Sequence, residues 1–308
     1  MSQTSASTEH RALAAAGLTM LLWASAFVAI RAAAPHFSPG ALALGRMLAA
    51  SAVLGAILLI RREGWPARAA WPGIIGSGVL WFGLYMITLN WGEESVDAGT
   101  AAIIIGVGPI LVALLSSRLL KEKLSRFLLI GMAVSFAGTV IVGISVSEDG
   151  RSSVIGVLLI VVAAASFAGG MVSQKPALHH GSALQVITFG CFVASIACLP
   201  FTGQLVSQVS SAPASATLNM LYLGVFPTAL AFTTWGYALA RVDAGKLGAT
   251  TYVVPVLVVL MSWIALGEVP AWLTFAGGVL CLVGVAISRR RAPETTPSTP
   301  DSVPAAKG

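Results

Sequence analysis

The residues best placed to do chemistry in this chain come in pairs. Pro109 and Pro255 each stand inside a long uncharged run, and each is followed 13 residues later by a glutamate, Glu122 and Glu268. That spacing is about 20 Å of helix. A proline inside a helix removes a backbone donor and frees a carbonyl, which hydrocarbon surroundings tolerate only beside a cavity or a neighbouring helix. Paired, proline-interrupted helices therefore mark a binding site and its hinges at the middle of a membrane, with a packed kink as the plainer alternative. Gly108 beside Pro109 softens the first hinge, whereas Tyr252 and Val254 precede Pro255. Glu122 and Glu268 fall where one run ends and the next begins. A carboxylate favours a helix N-terminus, so a structural turn and a gate are both consistent with the pair.

Aromatic and hydroxyl side chains supply the other candidates. Trp23 and Trp81 lie near the centres of their runs, where anchoring at a membrane surface does not explain them. Tyr85 stands one turn after Trp81, and Asn90 follows; Phe167, Gln174, Thr234, Trp235 and Tyr252 play the comparable part later in the chain. Together they would stack on one side of a small amphipathic solute and hydrogen-bond weakly on the other, with ordinary packing as the competing explanation for each. Arg46 interrupts an otherwise apolar run, and a cation there is costly enough to suggest a gate or an anion contact, unless its side chain snorkels to the surface.

What is missing narrows the chemistry further. No Asp, Glu, Lys or His lies deep inside an apolar run, so the usual carboxylate relay of a proton pump is lacking. Any coupling would fall to edge groups such as Glu93, Glu94, Asp97 or Glu122, or give way to exchange or facilitated flow. Cys191, Cys198 and Cys281 show no CxxC spacing, the four histidines sit in the tail or loops, and no Walker A sequence occurs. No metal, cofactor or ATP engine is expected.

These side chains need elements that cross a membrane. Of 308 residues, 56% are hydrophobic and 10% charged, against roughly 25% charged in a soluble domain, and the mean hydropathy is +0.87. Uncharged runs at residues 12–30, 69–92, 98–117, 127–147, 152–174, 247–267 and 269–288 are each long enough to span. Residues 40–60 add a span around Arg46, and the run 176–240 divides at the polar stretch 202–215, read as a loop, giving ten. If both termini share one side, that side collects Arg11, Arg61, Arg62, Arg68, Arg118, Lys121, Lys123, Arg126, Lys175, Arg241, Lys246, Arg289, Arg290, Arg291 and Lys307, and the other only Arg31 and Arg151. The bias predicts ten spans with both termini in the cytoplasm. It also explains the net charge of +6 without any nucleic-acid partner. Residues 1–11 are then a cytoplasmic tail with no cleavable signal, and 289–308, rich in Pro and Thr, a disordered one.

An internal repeat ties the pairs together. A shift of 146 residues superposes Val96–Gly99 on Val242–Gly245, both reading VDAG, and also Pro109 on Pro255, Ser116 on Ser262, Glu122 on Glu268, Gly131 on Gly277 and Gly138 on Gly284. LWASAFVAIR (22–31) resembles SFAGGMVSQK (166–175) more loosely. Each half, 12–147 and 152–288, holds five spans. Five is odd, so the second half enters the membrane inverted. The basic RLLKEKLSR (118–126) faces a partner, IALGEVPAW (264–272), with no cation, as inversion requires.

LLWASAFVAI in the first span, GRMLAAS (45–51) in the second, and residues 89–124 with their echo around Pro255 and Gly267–Glu268 resemble the drug/metabolite transporter superfamily, in its EamA-type ten-helix branch. The resemblance covers nearly all of residues 12–288. It implies a cavity lined by the first, third, fourth, sixth, eighth and ninth helices, and a function in exporting or exchanging amino acids, metabolites or xenobiotics.

The expectation is thus an all-α membrane protein of ten transmembrane helices in two inverted five-helix repeats, acting as a monomer in the inner membrane. It would export small metabolites such as amino acids by alternating access. A drug or nucleotide-sugar type exchanger is the alternative, disfavoured by the scarcity of intramembrane cations. An enzyme acting on lipid-linked substrates is more remote, since only Glu93, Glu94 and Asp97 approach a cluster.

Overall fold

In a computed structural model the chain is all-helical over the described residues, 2–96, 104–146, 153–266 and 272–290. The first helix, α1 (Ser2–Ala33), runs through the polar tail, and α2 (Pro39–Ile60) follows. The third, α3, is continuous over residues 71–93 through a π-helical stretch, Gly78–Tyr85. Next come α4 (Gly108–Leu119), α5 (Arg126–Val146), α6 (Val154–Ala177), α7 (Ala183–Ala197) and α8 (Thr202–Ser211). Helix α9 covers residues 214–239 through a second π-helical stretch, Gly224–Leu230. The chain continues with α10 (Ala244–Ala249), a 3-10 turn (Thr250–Val253), α11 (Val254–Leu266) and α12 (Trp272–Ser288).

Among the described residues six helices are long and apolar enough to cross a bilayer, and α7 with α8 makes a seventh if their 54° bend is one broken span. Residues of α4, α10–α11 and α12 form shorter apolar helices. The outward faces of α2, α5, α6 and α12 expose large apolar side chains, Ile60, Ile144, Leu158 and Phe275 respectively, as lipid contact requires. The sequence expectation of a polar loop at 202–215 is corrected. Most of that stretch is α8, whose Leu205 is buried and whose Gln208 accepts a hydrogen bond from the Ser38 backbone N–H at 2.9 Å. The Ser- and Gln-rich composition hid a helix that caps α2.

The expected proline interruptions are present, with a sharper form than a kink. Pro109 lies in the first turn of α4, after a break at Gly106–Val107, and Pro255 lies in the first turn of α11, after the 3-10 turn. A first-turn proline sacrifices no helical hydrogen bond. The two breaks meet: the Tyr252 hydroxyl donates to the Gly106 carbonyl at 2.7 Å.

The halves interlock rather than sit side by side. Helix α2 packs on α7 and on the π stretch of α9, α1 on α9 and α11, and α3 on α6. Helices α5 and α12 form a seam of small residues. A Cβ on Gly131 would lie 2.5 Å from the Gly284 carbonyl, and one on Gly138 2.6 Å from that of Gly277. Ser135 donates to the Cys281 carbonyl at 3.0 Å. Shifted by 146 residues the Gly131–Gly284 contact becomes the Gly138–Gly277 contact, and Ser135 becomes Cys281. Such reciprocity is what a two-fold relation produces, with Ser135 and Cys281 on its axis.

Candidate functional site

The π stretches of α3 and α9 begin at Gly78 and Gly224, again 146 residues apart. Each starts where its helix crosses one from the other half. A Cβ on Gly78 would lie 2.8 Å from the Gly190 carbonyl of α7, and one on Gly224 2.7 Å from the Arg46 carbonyl of α2. A π turn widens the helix, and such turns recur at functional sites. In α9 the π stretch includes Pro227, and the Thr228 hydroxyl donates to the Leu223 carbonyl five residues back at 2.7 Å.

These two stretches bring together most of the aromatic candidates. The Trp81 ring stands 5.9 Å from Trp23, 5.4 Å from Phe167 and 5.9 Å from Trp235, and Trp23 lies 4.9 Å from Trp235. Tyr85 joins at the Phe167 edge, 5.9 Å away. Phe82 and Phe232, which sequence reasoning did not single out, stack at 4.4 Å in the middle of the group. Trp81, Phe82, Phe232 and Trp235 are all at most 1% exposed, so the rings fill the centre they were expected to line. Gly170 of α6 makes this possible, since a Cβ there would fall 2.5 Å from that of Trp81. A groove of about 390 Å³ opens beside α1, lined by Ser25, Val28, Ala29, Asn219, Tyr222 and Met261.

The remaining candidates fall around the rings. Thr234 bonds Thr19 of α1 at 2.8 Å, Tyr252 is engaged at the Gly106 break, and Asn90 is half-buried farther along α3. Gln174 is fully buried two turns beyond Phe167, and neither atom of its amide has a hydrogen-bond partner; the Trp235 indole N–H also lacks one. Gly108 sits against Phe167, 3.0 Å from where its Cβ would be. Arg46 is 6% exposed and turned inward, its Nε donating to Thr228 Oγ1 at 2.6 Å.

Glu122 makes a clamp at one end of the bundle. Its carboxylate pairs with Lys175 of α6 and accepts from the backbone N–H groups of Ala244 at 2.9 Å and Gly245 at 3.2 Å, while Lys175 also donates to the Val242 carbonyl at 2.9 Å. One half thus grips the second VDAG segment through a carboxylate at the start of α10. Its sequence counterpart Glu268, like Asp97, lies outside the described residues. Lys175 was legible only as an orientation charge. Among the described residues, no group of His, Cys, Asp and Glu side chains could hold a metal ion.

Comparison with known proteins finds the EamA-like transporter family matching residues 10–144 and 154–290. A "probable terminal-alkyne amino-acid exporter" of Streptantibioticus cattleyicolor is 33% identical over 89% of this chain and 92% of its own length. A "probable amino-acid metabolite efflux pump" of Salmonella typhimurium is 26% identical over 88% and 92%. One crystal structure superposes with a TM-score of 0.73 at 22% identity, over 90% of this chain and 96% of that one, a likeness of fold.

Proposed function

This chain belongs to the EamA-like transporter family, a multi-pass membrane transporter and not an enzyme, and we propose that it exports small metabolites, amino acids foremost, across the inner membrane. The observation that carries the mechanism is the meeting of the two proline-marked breaks at Tyr252 and Gly106. Two repeat-equivalent helices that break at the same depth and touch there can swing in opposite senses, which is what alternating access demands. Gly108, Pro109 and Pro255 are the hinges of that movement. The Glu122–Lys175 clamp is the gate on the side of the termini, and Glu268 takes the corresponding role on the opposite side.

In this reading ten spans form two inverted repeats, 12–147 and 152–288, with both tails in the cytoplasm. The solute passes among Trp23, Trp81, Tyr85, Phe167 and Trp235, with Asn90, Gln174, Thr234 and Tyr252 as polar contacts along its path. The rings pack against one another, with Trp81, Phe82, Phe232 and Trp235 at most 1% exposed, so the solute must part them. The names of the relatives support amino-acid-like cargo, and Arg46, the single buried cation among the described residues, supports it over phosphorylated cargo, which needs more positive charge. Purified protein in liposomes, with orientation verified, is expected to move members of an amino-acid panel across the bilayer. Failure to move any of a broad panel of amino acids and metabolites overturns the export reading.

A further inference from the structure

We propose that Arg46 is the recognition centre for a single carboxylate on the solute, whose apolar or aromatic body lies against the Phe82–Phe232 pair. The inference rests on the export reading and names the class of cargo. Arg46 is buried in α2, and the ion pairs among the described residues, Lys175–Glu122 and Lys246–Asp243, do not include it. A guanidinium carries five N–H donors. Among the described residues its Nε meets Thr228 Oγ1 and its Nη1 meets the Met86 sulfur, a weak acceptor, at 3.6 Å. A buried charge without a counter-ion is expensive, and a link to one threonine would be served as well by a neutral side chain. The charge is explained if an anion arrives.

The surroundings specify what else the anion must carry. Thr228 and Met86 each lie four residues, about one helical turn, from a member of the stacked ring pair, Phe232 and Phe82. The Thr228 hydroxyl hydrogen is committed to the Leu223 carbonyl, which leaves its oxygen to accept from Nε and fixes the plane of the guanidinium. The free edge of the fork then suits a bidentate carboxylate. The unpartnered indole N–H of Trp235 is a buried polar group beside Trp81, which packs on the same rings. It is a further contact that a bound solute would complete. One cation suits a carboxylate better than a doubly charged phosphate.

The test separates binding from flux. Tryptophan fluorescence of the purified full chain is titrated with L-phenylalanine and 3-phenylpropionate, which carry the carboxylate, and with L-phenylalaninamide, which does not. The acids are expected to bind at least tenfold more tightly than the amide. Arg46→Gln should abolish that preference, and Arg46→Lys should retain part of it. Equal binding of acid and amide to the unaltered protein overturns the inference without appeal to any variant, as does a preference that survives Arg46→Gln. Counterflow of labelled L-phenylalanine in liposomes is measured in parallel. Carboxylate-selective binding without flux of any amino acid sinks the export reading and leaves the assignment of Arg46 standing.

Discussion

The hydroxyl of Tyr252 donates to the carbonyl of Gly106 at 2.7 Å, and the two residues hold the same position in their repeats, 146 residues apart. The carbonyl is one that the break before Pro109 leaves without a helical donor. Replacing Tyr252 by Phe keeps the ring and strands that carbonyl, at a cost of about 1–3 kcal/mol for a buried unsatisfied acceptor. Thermal unfolding in detergent should show a lower Tm for Tyr252→Phe, and transport should change with it. An unchanged Tm together with unchanged flux would remove the hinge contact from the mechanism.

The Glu122–Lys175 clamp should behave as one unit. Loss of Glu122 leaves Lys175 with the Val242 carbonyl but no counter-ion, and the N–H groups of Ala244 and Gly245 without their acceptor. Charge-assisted bonds of this kind contribute about 1.5–3 kcal/mol. Glu122→Ala and Lys175→Ala are therefore expected to be strongly non-additive in a double-mutant cycle read by Tm. Additive effects would show that the two side chains do not depend on each other.

Gly170 is required by the backbone of α3 more than by its own helix. A Cβ at this position falls 2.8 Å from the Trp81 amide nitrogen as well as on its Cβ. Gly170→Ala improves helix propensity by about 1 kcal/mol yet forces α6 and α3 apart, so net destabilisation of about 1–3 kcal/mol is expected. The emission maximum of the buried tryptophans should shift to the red as the rings loosen. A rise in Tm would contradict the close approach.

Gln174 should trade stability for function. Both atoms of its amide are buried without partners, and an unpaired buried amide costs about 1–3 kcal/mol. Gln174→Met, close in volume, is expected to raise Tm while lowering amino-acid flux severalfold. A raised Tm with normal flux would leave the residue out of the solute path.

Topology is testable at Gly203 of α8, where a Cβ meets nothing within 4 Å. The native cysteines are all buried, so Gly203→Cys gives a low-background label. A membrane-impermeant maleimide should reach it from the side opposite the termini; labelling only after permeabilisation would break the inverted-repeat assignment.

Much of this was legible in the chain before its fold. The repeat announced itself through VDAG and the prolines; Trp23 and Trp81 stood out because rings at mid-span have no surface to anchor, and Phe167 and Trp235 as side chains playing the comparable part in the second half. Phe82 and Phe232 did not, since a phenylalanine in an apolar run carries no periodic signal. The π stretches were hidden for a related reason: each is set by a crossing with a helix far away in sequence, at Gly190 and Arg46. Glu122 and Lys175 were both visible as charges, but 53 residues separate them and nothing local pairs them. For Arg46, sequence left snorkelling and an inward role open, and only the contact with Thr228 decides between them.

That contact also sets a schedule. Arg46 and Thr228 are 182 residues apart, and at roughly 5–20 residues per second of synthesis the arginine emerges about 10–40 s before its threonine. The helices of the first half pack mainly on those of the second, so α2 must wait in the translocation machinery or the bilayer with its cation uncovered. Biogenesis of this protein is thus most exposed midway through translation, when half of the chain has been inserted and the central contacts that need the second half, Arg46–Thr228 and Phe82–Phe232 among them, cannot yet form.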